Sequence, residues 1–248
     1  MGMKIIKYHE SYSEQMMRRL GKPLLIILII LAVIFVLGIV QMFTPALQKY
    51  DLAFLVVLIV IFVALKNPIE DLIDEYKDYI YGKEGEEYVE KILSETLNDE
   101  YSYIRNYIIP NTRIGDIDGL LVGPKGIIVI EVKNYAGVFR ISGGDMYRRL
   151  RGDIYKLYRK SPFRQTIQQR DYLKRFLREK NFDVPIAALI VLVDGKISSI
   201  SGETKIFVIE PEKLTNHIFK MSPVLNWTLE TTAKIISTLV PSIATGQN

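Results

Sequence analysis

Cysteine is absent from the chain, and histidine is nearly so. Without cysteine the protein has no disulfide bond, no thiolate zinc site and no cysteine nucleophile, which agrees with a reducing compartment. The two histidines, His9 and His217, lie far apart in sequence, so histidine-rich metal sites and histidine-based hydrolysis are not expected. Any hydrolytic chemistry must therefore depend on carboxylates and lysine.

Polar side chains are also missing from a long stretch near the N-terminus, residues 24–40. This run reaches the length needed to cross a hydrocarbon core of about 30 Å. A second run, Leu52–Leu65, is shorter and needs residues 46–51 to complete a span. We therefore predict two transmembrane helices within residues 23–66. For the second run, the alternative is a re-entrant hairpin. For the first run, a cleaved signal peptide is disfavoured because no small-residue cleavage pattern follows it.

Basic residues near the two runs predict their orientation. Lys49 is the single basic residue in the connection between the runs, residues 41–51, whereas the arm of residues 1–22 carries several basic residues. By the positive-inside rule the arm is cytoplasmic and the connection lies outside. Two spans then return the C-terminal part to the cytoplasm, which predicts a multi-pass protein of the cell membrane. The basic residues of the arm are Lys4, Lys7, Arg18, Arg19 and Lys22.

Charge is unevenly distributed along the rest of the chain. Residues 69–90 hold nine acids against two lysines, whereas residues 134–180 hold thirteen basic residues against four acids. Seven aromatic residues, from Phe139 to Phe176, lie among those basic residues, a mixture suited to phosphate contacts and base stacking. Nucleic acid, with DNA favoured, is the partner we predict. A basic surface attracted to anionic lipid headgroups is the alternative.

Hydrophobic periodicity and turn signals predict an α/β fold in which helices cover a mixed central sheet. A helical stalk is predicted at residues 67–81, beginning at Pro68 and interrupted from Gly82 to Glu86. The folded domain then covers residues 82–220, and a C-terminal amphipathic helix and tail cover residues 221–248. The predicted strands are 101–109, two strands of a hairpin within 115–133, 137–142, 146–151, 187–193 and 205–209, with helices after Tyr88, at 161–180, after Pro211 and at 227–239.

The hairpin within residues 115–133 carries the most specific spacing. Two apolar runs flank Gly-Pro-Lys-Gly, a turn in which Pro124 presets the first central dihedral. If Gly123 pairs with Gly126, counting along both strands sets Asp118 directly opposite Glu131. Facing acids repel each other unless something offsets their charge.

Alternation along the strands brings a lysine to the same place. Lys133 lies two residues beyond Glu131 on one face, with Asp116 as its cross-strand neighbour. A hard cation such as magnesium binds a few carboxylate oxygens and keeps several waters, so this pattern suits an open metal site. The alternative is an exposed ladder whose ends happen to be charged, and spacing alone does not decide between the two.

Several short motifs together resemble the nuclease-related domain family. That family is similar to the restriction-endonuclease-like proteins, which carry an Asp followed by Glu-x-Lys, and the resemblance covers about residues 80–215. The spans and the C-terminal helix lie outside it. The matching motifs are Gly82-x-x-Gly85-Glu86, Ile117-Asp118 before the Gly-Pro-x-Gly turn, Ile130-Glu131-Val132-Lys133-Asn134, Gly137, and Ser161-Pro162-Phe163-Arg164-Gln165.

The resemblance implies a nuclease-like site that uses Mg²⁺ (or Mn²⁺), with Asp118 and Glu131 as metal ligands and Lys133 positioning the attacking water. It also implies that Glu86 approaches as an accessory acid and that Gln165 assists from the later helix. The simpler interpretations are that Glu86 only complements a helix N-terminus and that Gln165 only decorates an exposed face.

The chain departs from the family at two positions. Members often have glutamine where this chain has Asp116, and histidine after the aspartate, where this chain has Gly119. Asp116 could add a third acid beside Lys133 or form an ion pair with it, which would reduce turnover.

These observations predict a membrane-anchored, metal-dependent nuclease that hydrolyses phosphodiester bonds of DNA, less favourably RNA, on the cytosolic face. One alternative is a nucleic-acid-binding or sensing module that keeps the fold but turns over poorly. Another is a membrane scaffold that binds anionic lipid or a protein partner.

Overall fold

The structure, a computed structural model, describes residues 2–44, 51–159 and 161–241. They form two compact units, one made of residues up to Ser11 together with those from Gly82 onward, the other of Tyr12–Tyr81. The elements are β1 (Lys4–Lys7), α1 (Tyr12–Met42), α2 (Asp51–Thr96), β2 (Ser102–Ile108), β3 (Asp116–Gly123), β4 (Gly126–Lys133), β5 (Gly137–Ser142), β6 (Asp145–Arg151), β7 (Ile154–Leu157), α3 (Phe163–Glu179), β8 (Ile186–Leu192), β9 (Gly195–Ser201), β10 (Phe207–Ile209), α4 (Pro211–Lys220) and α5 (Leu229–Leu239).

A mixed six-stranded sheet, in the order β1-β2-β3-β4-β8-β10, is the centre of the first unit. Its inner strands β4 and β8 run parallel. β8 is an unbroken apolar run and β4 is apolar from Ile127 to Ile130, because both faces are buried there. On one face Val129 and Ile190 pack with α3 and α5, and on the other Ile130 and Val191 pack with the C-terminal part of α2 and with α4. The predicted fold class, a mixed sheet covered by helices, is confirmed.

A smaller sheet of four strands, in the order β7-β6-β5-β9, adjoins this core. Phe139, Ile141 and Met146 are fully buried and join the larger sheet's core on the α3 side. The turn signal between β5 and β6 predicts this hairpin correctly, whereas β7 and β9 were not predicted. Both of the missed strands are exposed over most of their length, so they lack the alternating apolar pattern on which strand prediction depends.

The N-terminal arm contributes a strand to the large sheet. β1 pairs in parallel with β2, from Lys4↔Ser102 to Lys7↔Arg105, and Met3 and Ile6 are buried in the two core layers. The first residues of the predicted arm 1–22 are therefore part of the folded unit. The four-residue strand is too short to show a pattern in the sequence.

We predict that Ile6→Ala lowers the free energy of unfolding by about 2 kcal/mol, because the buried side chain leaves a partly filled cavity. Ile5→Ala, on the same strand but 42% exposed, is the matched control and should change it by less than about 0.5 kcal/mol. Urea unfolding of the full chain in detergent, followed by fluorescence of the single Trp227, measures both values. Equal effects of the two substitutions would show that β1 does not pack on the core.

Among the described residues, one helix, Tyr12–Gln41, is long and apolar enough to cross a bilayer, and an 18-residue window within it has a mean hydropathy of 3.4. Its apolar side chains, including Phe35, are largely exposed, as expected for a lipid-facing helix. A signal sequence near the N-terminus would meet the same criteria. The prediction of two spans is not supported, and most of the predicted connection, residues 41–51, lies outside the described residues.

The second apolar run and the predicted stalk belong to one helix. α2 continues through Pro68 and through Gly82 to Thr96, so the predicted helix start at Pro68 and the break from Gly82 to Glu86 are both wrong. Glycine within a helix costs only about 1 kcal/mol relative to alanine, and tertiary packing offsets that cost. Val89 and Leu93, beyond the glycines, are fully buried against the sheet.

Candidate active site

The β3–β4 hairpin has the predicted register. Gly123 pairs with Gly126, and the ladder continues to Gly119↔Ile130. Gly126 has φ +89°, and a Cβ there would lie 2.6 Å from the carbonyl oxygen of Pro185, so only glycine fits this turn position. The turn chemistry therefore sets the register.

The two strands separate where the acids begin. Paired residues end at Gly119↔Ile130, and beyond that pair the Val132 amide donates a hydrogen bond of 2.7 Å to Asp118 Oδ2. Asp118 and Glu131 thus lie next to the end of the ladder, and the direct cross-strand pair that was predicted is not formed. The separation leaves polar side chains at a point where the sheet would otherwise be closed by backbone hydrogen bonds.

Glu131 is a fully buried acid in the middle of the fold, with 0% of its side chain exposed. Its Oε1 lies 2.6 Å from Lys133 Nζ, and the two side chains form an ion pair. The lysine side chain is 22% exposed. Oε2 has no hydrogen-bond partner among the described residues. A buried carboxylate oxygen without a partner is costly, so this atom is suited to a cation.

The surroundings shift the protonation of Asp118 and of Lys133. Burial, followed by the negative charge of Glu131, raises the pKa of Asp118 well above its usual value, although Lys133 opposes the shift. For Lys133, burial favours the neutral amine, but the charges of Glu131 and Asp118 outweigh it and raise its pKa. The lysine is therefore a fixed positive charge beside two acids that still repel each other.

Glu86 reaches the same neighbourhood from α2. The preceding residue, Gly85, is buried, and a Cβ there would lie 3.2 Å from Asn134 Cβ, so the glycine lets the helix pack closely on the residue after Lys133. The negative charge of Glu86 contributes to the raised pKa of Asp118. The structure thus brings Glu86, Asp118, Glu131 and Lys133 together, and their catalytic roles stay predictions.

The glutamine on α3 that contacts the hairpin is not the predicted one. Gln165 is exposed in the first turn of α3, whereas Gln169, one turn later, is fully buried. Gln169 Nε2 donates a hydrogen bond of 2.8 Å to the main-chain oxygen of Asp116. A glutamine four residues further along lies on the same side of a helix, which is the signal that could have identified it.

We expect Gln169→Ala to lower the free energy of unfolding by about 1–3 kcal/mol, because the Asp116 carbonyl loses its buried donor. Gln165→Ala, at an exposed site of the same helix, should leave stability within about 0.5 kcal/mol. Thermal unfolding of the two variants and of the unchanged chain compares them directly. If Gln165→Ala alone reduced nucleic acid cleavage at unchanged stability, the original prediction of a site role for Gln165 would gain.

Tyr103 on β2 borders the acids and was not predicted. It is almost fully buried, and burial, followed by the charges of Asp118 and Glu86, raises the pKa of its hydroxyl. A Cβ at Gly119 would lie 2.0 Å from the Tyr103 hydroxyl oxygen. The tyrosine therefore fills the space that a side chain after Asp118 would need, which explains why glycine is found there.

Aromatic side chains connect the site to the small sheet. Tyr135, two residues after Lys133, has its ring 5.0 Å from that of Tyr158 and 6.5 Å from that of Phe139. Burial raises the pKa of Tyr135 to about 12, although the charge of Lys133 opposes the shift. The tyrosine hydroxyl thus stays protonated beside Lys133 at neutral pH.

The donor set can be compared with what a divalent cation requires. Within residues 2–44, 51–159 and 161–241, no group of three or more His, Cys, Asp or Glu is arranged to hold a metal ion. Two carboxylates are present instead, one of them with a buried oxygen that lacks a partner. Magnesium is often held by one or two carboxylates and several waters, so Asp118 and Glu131 fit such an ion without a closed cage.

Comparison with known proteins finds a family match over the part of the chain that contains this site. Residues 81–193 match the nuclease-related domain (NERD), a segment that runs from the C-terminal part of α2 through β8. An uncharacterized protein of Bacillus anthracis is 29% identical over 121 residues, which are 48% of this chain and 53% of that protein. The chain thus spans about half the length of that curated relative. No solved structure matches the chain.

Proposed function

We propose that the unit formed by residues up to Ser11 and those from Gly82 onward is a metal-dependent nuclease that hydrolyses phosphodiester bonds, with DNA favoured over RNA. The observation that carries this proposal is the cluster of Asp118, Glu131 and Lys133 at the point where β3 and β4 separate. Buried like charges are retained at a cost to stability, and a catalytic site is a common reason to retain them. The match to a nuclease-related domain over the same residues supports it.

Each residue of the cluster has a separate role in the proposal. Asp118 and Glu131 would hold Mg²⁺ or Mn²⁺, which when bound lowers the pKa of water and neutralises charge that develops on phosphate. Lys133, kept protonated by the two acids, orients a water by donating hydrogen bonds to it. Glu86 is proposed as an accessory acid that accepts a hydrogen bond from solvent at the same site.

Basic residues beyond the site support nucleic acid as the substrate. Arg164, Lys174 and Arg175 are exposed on α3, the helix that also supplies Gln169. Each phosphate contact made by such residues releases counterions. Affinity for nucleic acid should accordingly fall steeply as salt rises.

We also propose that the protein is anchored in the cell membrane with the folded unit on the cytosolic side. The apolar helix Tyr12–Gln41 and the basic residues that precede its apolar part support this arrangement. A second span through Leu52–Leu65 is part of the proposal.

A second candidate function is a nucleic-acid-binding module with poor turnover. The observation in its favour is the 2.6 Å ion pair between Lys133 and Glu131, because a lysine held by one acid is less available to a water. Both candidates predict that the protein binds nucleic acid, but only the nuclease is expected to cleave it efficiently when metal is present.

Purified full chain in detergent, incubated with double-stranded DNA, single-stranded DNA and RNA, tests the proposal. We expect cleavage with magnesium or manganese and none with chelator. Binding that weakens as salt rises, without cleavage under any metal condition, would favour the binding module. Neither binding nor cleavage would contradict both candidates.

A further inference from the structure

The β6–β7 hairpin extends beyond the packed core. Met146 is fully buried at the start of β6, whereas every residue from Arg148 to Ile154 is exposed. Side chains alternate between the two faces of a strand, so continuous exposure means that neither face of this part is covered. Gly152, with φ +53°, forms the turn between the strands. The hairpin is therefore a protruding two-stranded ribbon.

Aliphatic side chains occupy this ribbon where a soluble surface would carry polar ones. Leu150 is 62% exposed and Ile154 64%, and the two residues flank the turn at Gly152. Leu157, 48% exposed, lies three residues beyond Ile154 on β7 and therefore faces the opposite side of the ribbon. The two aliphatic residues at the tip form a local apolar patch, and such patches mark interaction surfaces. The register shift between Arg149 and Arg151 places Leu150 in a bulge, which turns its side chain out of the regular ladder.

Positive charge surrounds the apolar residues. Arg148, Arg149, Arg151 and Lys156 are all exposed on the same two strands, and Asp153 is the one acid between Arg148 and Lys156. Aliphatic residues flanked by lysine and arginine are the composition of segments that lie in the interface of anionic membranes. Nucleic acid would use the arginines, but Leu150 and Ile154 at the tip offer neither stacking rings nor hydrogen bonds to it.

We propose that the tip of the β6–β7 hairpin docks on an anionic lipid surface, with Leu150 and Ile154 entering the headgroup and acyl boundary and the basic residues binding lipid phosphates. The presence of a candidate spanning helix in the same chain supports lipid as the occupant. This interaction is independent of the proposed nuclease activity, since none of these residues belongs to the cluster around Glu131.

The absence of cysteine makes the test direct, because a single introduced cysteine takes an environment-sensitive fluorophore at one position only. Ile154→Cys reports on the hairpin. Ile200→Cys, 54% exposed on β9 at the other edge of the same sheet, is the matched control. Both labelled full chains are reconstituted in vesicles of phosphatidylcholine alone or mixed with phosphatidylserine, some of them with brominated acyl chains.

We expect the label at position 154 to be quenched by brominated lipid in the anionic vesicles and the label at position 200 to stay unquenched. Replacing Arg149, Arg151 and Lys156 with glutamine should weaken docking on the order of a hundredfold, since about 1 kcal/mol per basic residue near an anionic leaflet is lost. High salt should act in the same direction.

Three results would overturn the proposal. These are quenching that is equal at the two positions, quenching that does not depend on phosphatidylserine, and no quenching in any vesicle.

Short duplex DNA is added to the same labelled chains in detergent as a separate arm. A fluorescence change at position 154 with DNA, together with none in anionic vesicles, would assign the hairpin to nucleic acid instead.

Discussion

Glu131→Gln should reduce metal-dependent cleavage by roughly a thousandfold or more. The substitution keeps the shape of the side chain but removes one of two charges proposed to hold the metal, whose stabilisation of developing charge is worth several kcal/mol. Glu131 is fully buried, and its partner Lys133 is mostly so, so solvent cannot substitute for the lost charge. Single-turnover cleavage with excess enzyme measures the chemical step without product release.

Two comparisons separate this effect from unfolding. Glu212→Gln, an exposed acid in the first turn of α4, should leave cleavage unchanged. Thermal unfolding of Glu131→Gln, measured beside it, should show a folded protein that still binds DNA in a salt-dependent way. Cleavage within about threefold of the unchanged chain would remove Glu131 from the site, whatever the stability.

Gly119→Ala should be the most damaging small substitution in the molecule. The added Cβ would lie 2.0 Å from the Tyr103 hydroxyl oxygen and 2.4 Å from two of its ring carbons. Tyr103 is 1% exposed, so its ring is enclosed by the core and we expect the β2–β3 ladder to shift. We expect a loss of about 3 kcal/mol or more in the free energy of unfolding, measured by urea titration.

A double-mutant cycle tests the cause of that loss. Tyr103→Ala alone should cost about 3–5 kcal/mol by leaving a cavity, and the pair Tyr103→Ala with Gly119→Ala should cost less than the sum, because the clash disappears with the ring. Gly2→Ala is the control, since nothing lies within 4 Å of a Cβ there. Additive costs in the cycle would show that the ring of Tyr103 is not what excludes a side chain at position 119.

Local chemistry in the sequence was enough to predict the hairpin that carries the acids. A Gly-Pro-Lys-Gly turn has few alternative registers, and the register follows from Gly123↔Gly126. What local chemistry could not show was where the ladder ends. The separation at Asp118 depends on the Val132 amide binding a side chain, a choice that requires the three-dimensional arrangement of β3 and β4.

The contact between Gln169 and the hairpin, which the sequence did not predict, has a similar explanation. The face of α3 that meets the sheet includes Leu173 and Leu177, both fully buried, and Gln169 precedes Leu173 by one turn on that face. Sequence motifs favoured Gln165, which lies on the same side of the helix, but which turn of α3 meets the sheet is a tertiary property. The same reason explains the helix break wrongly predicted at Gly82, since packing against the sheet determines whether a glycine ends a helix.

The pairing of β1 with β2 has a consequence for membrane topology. β1 precedes the apolar helix α1, and β2 follows α2, yet the two strands lie side by side in one sheet. A chain that leaves a sheet and later returns to it must cross any closed bilayer an even number of times. The proposed second span agrees with this pairing, because a single crossing through α1 would place β1 and β2 in different compartments.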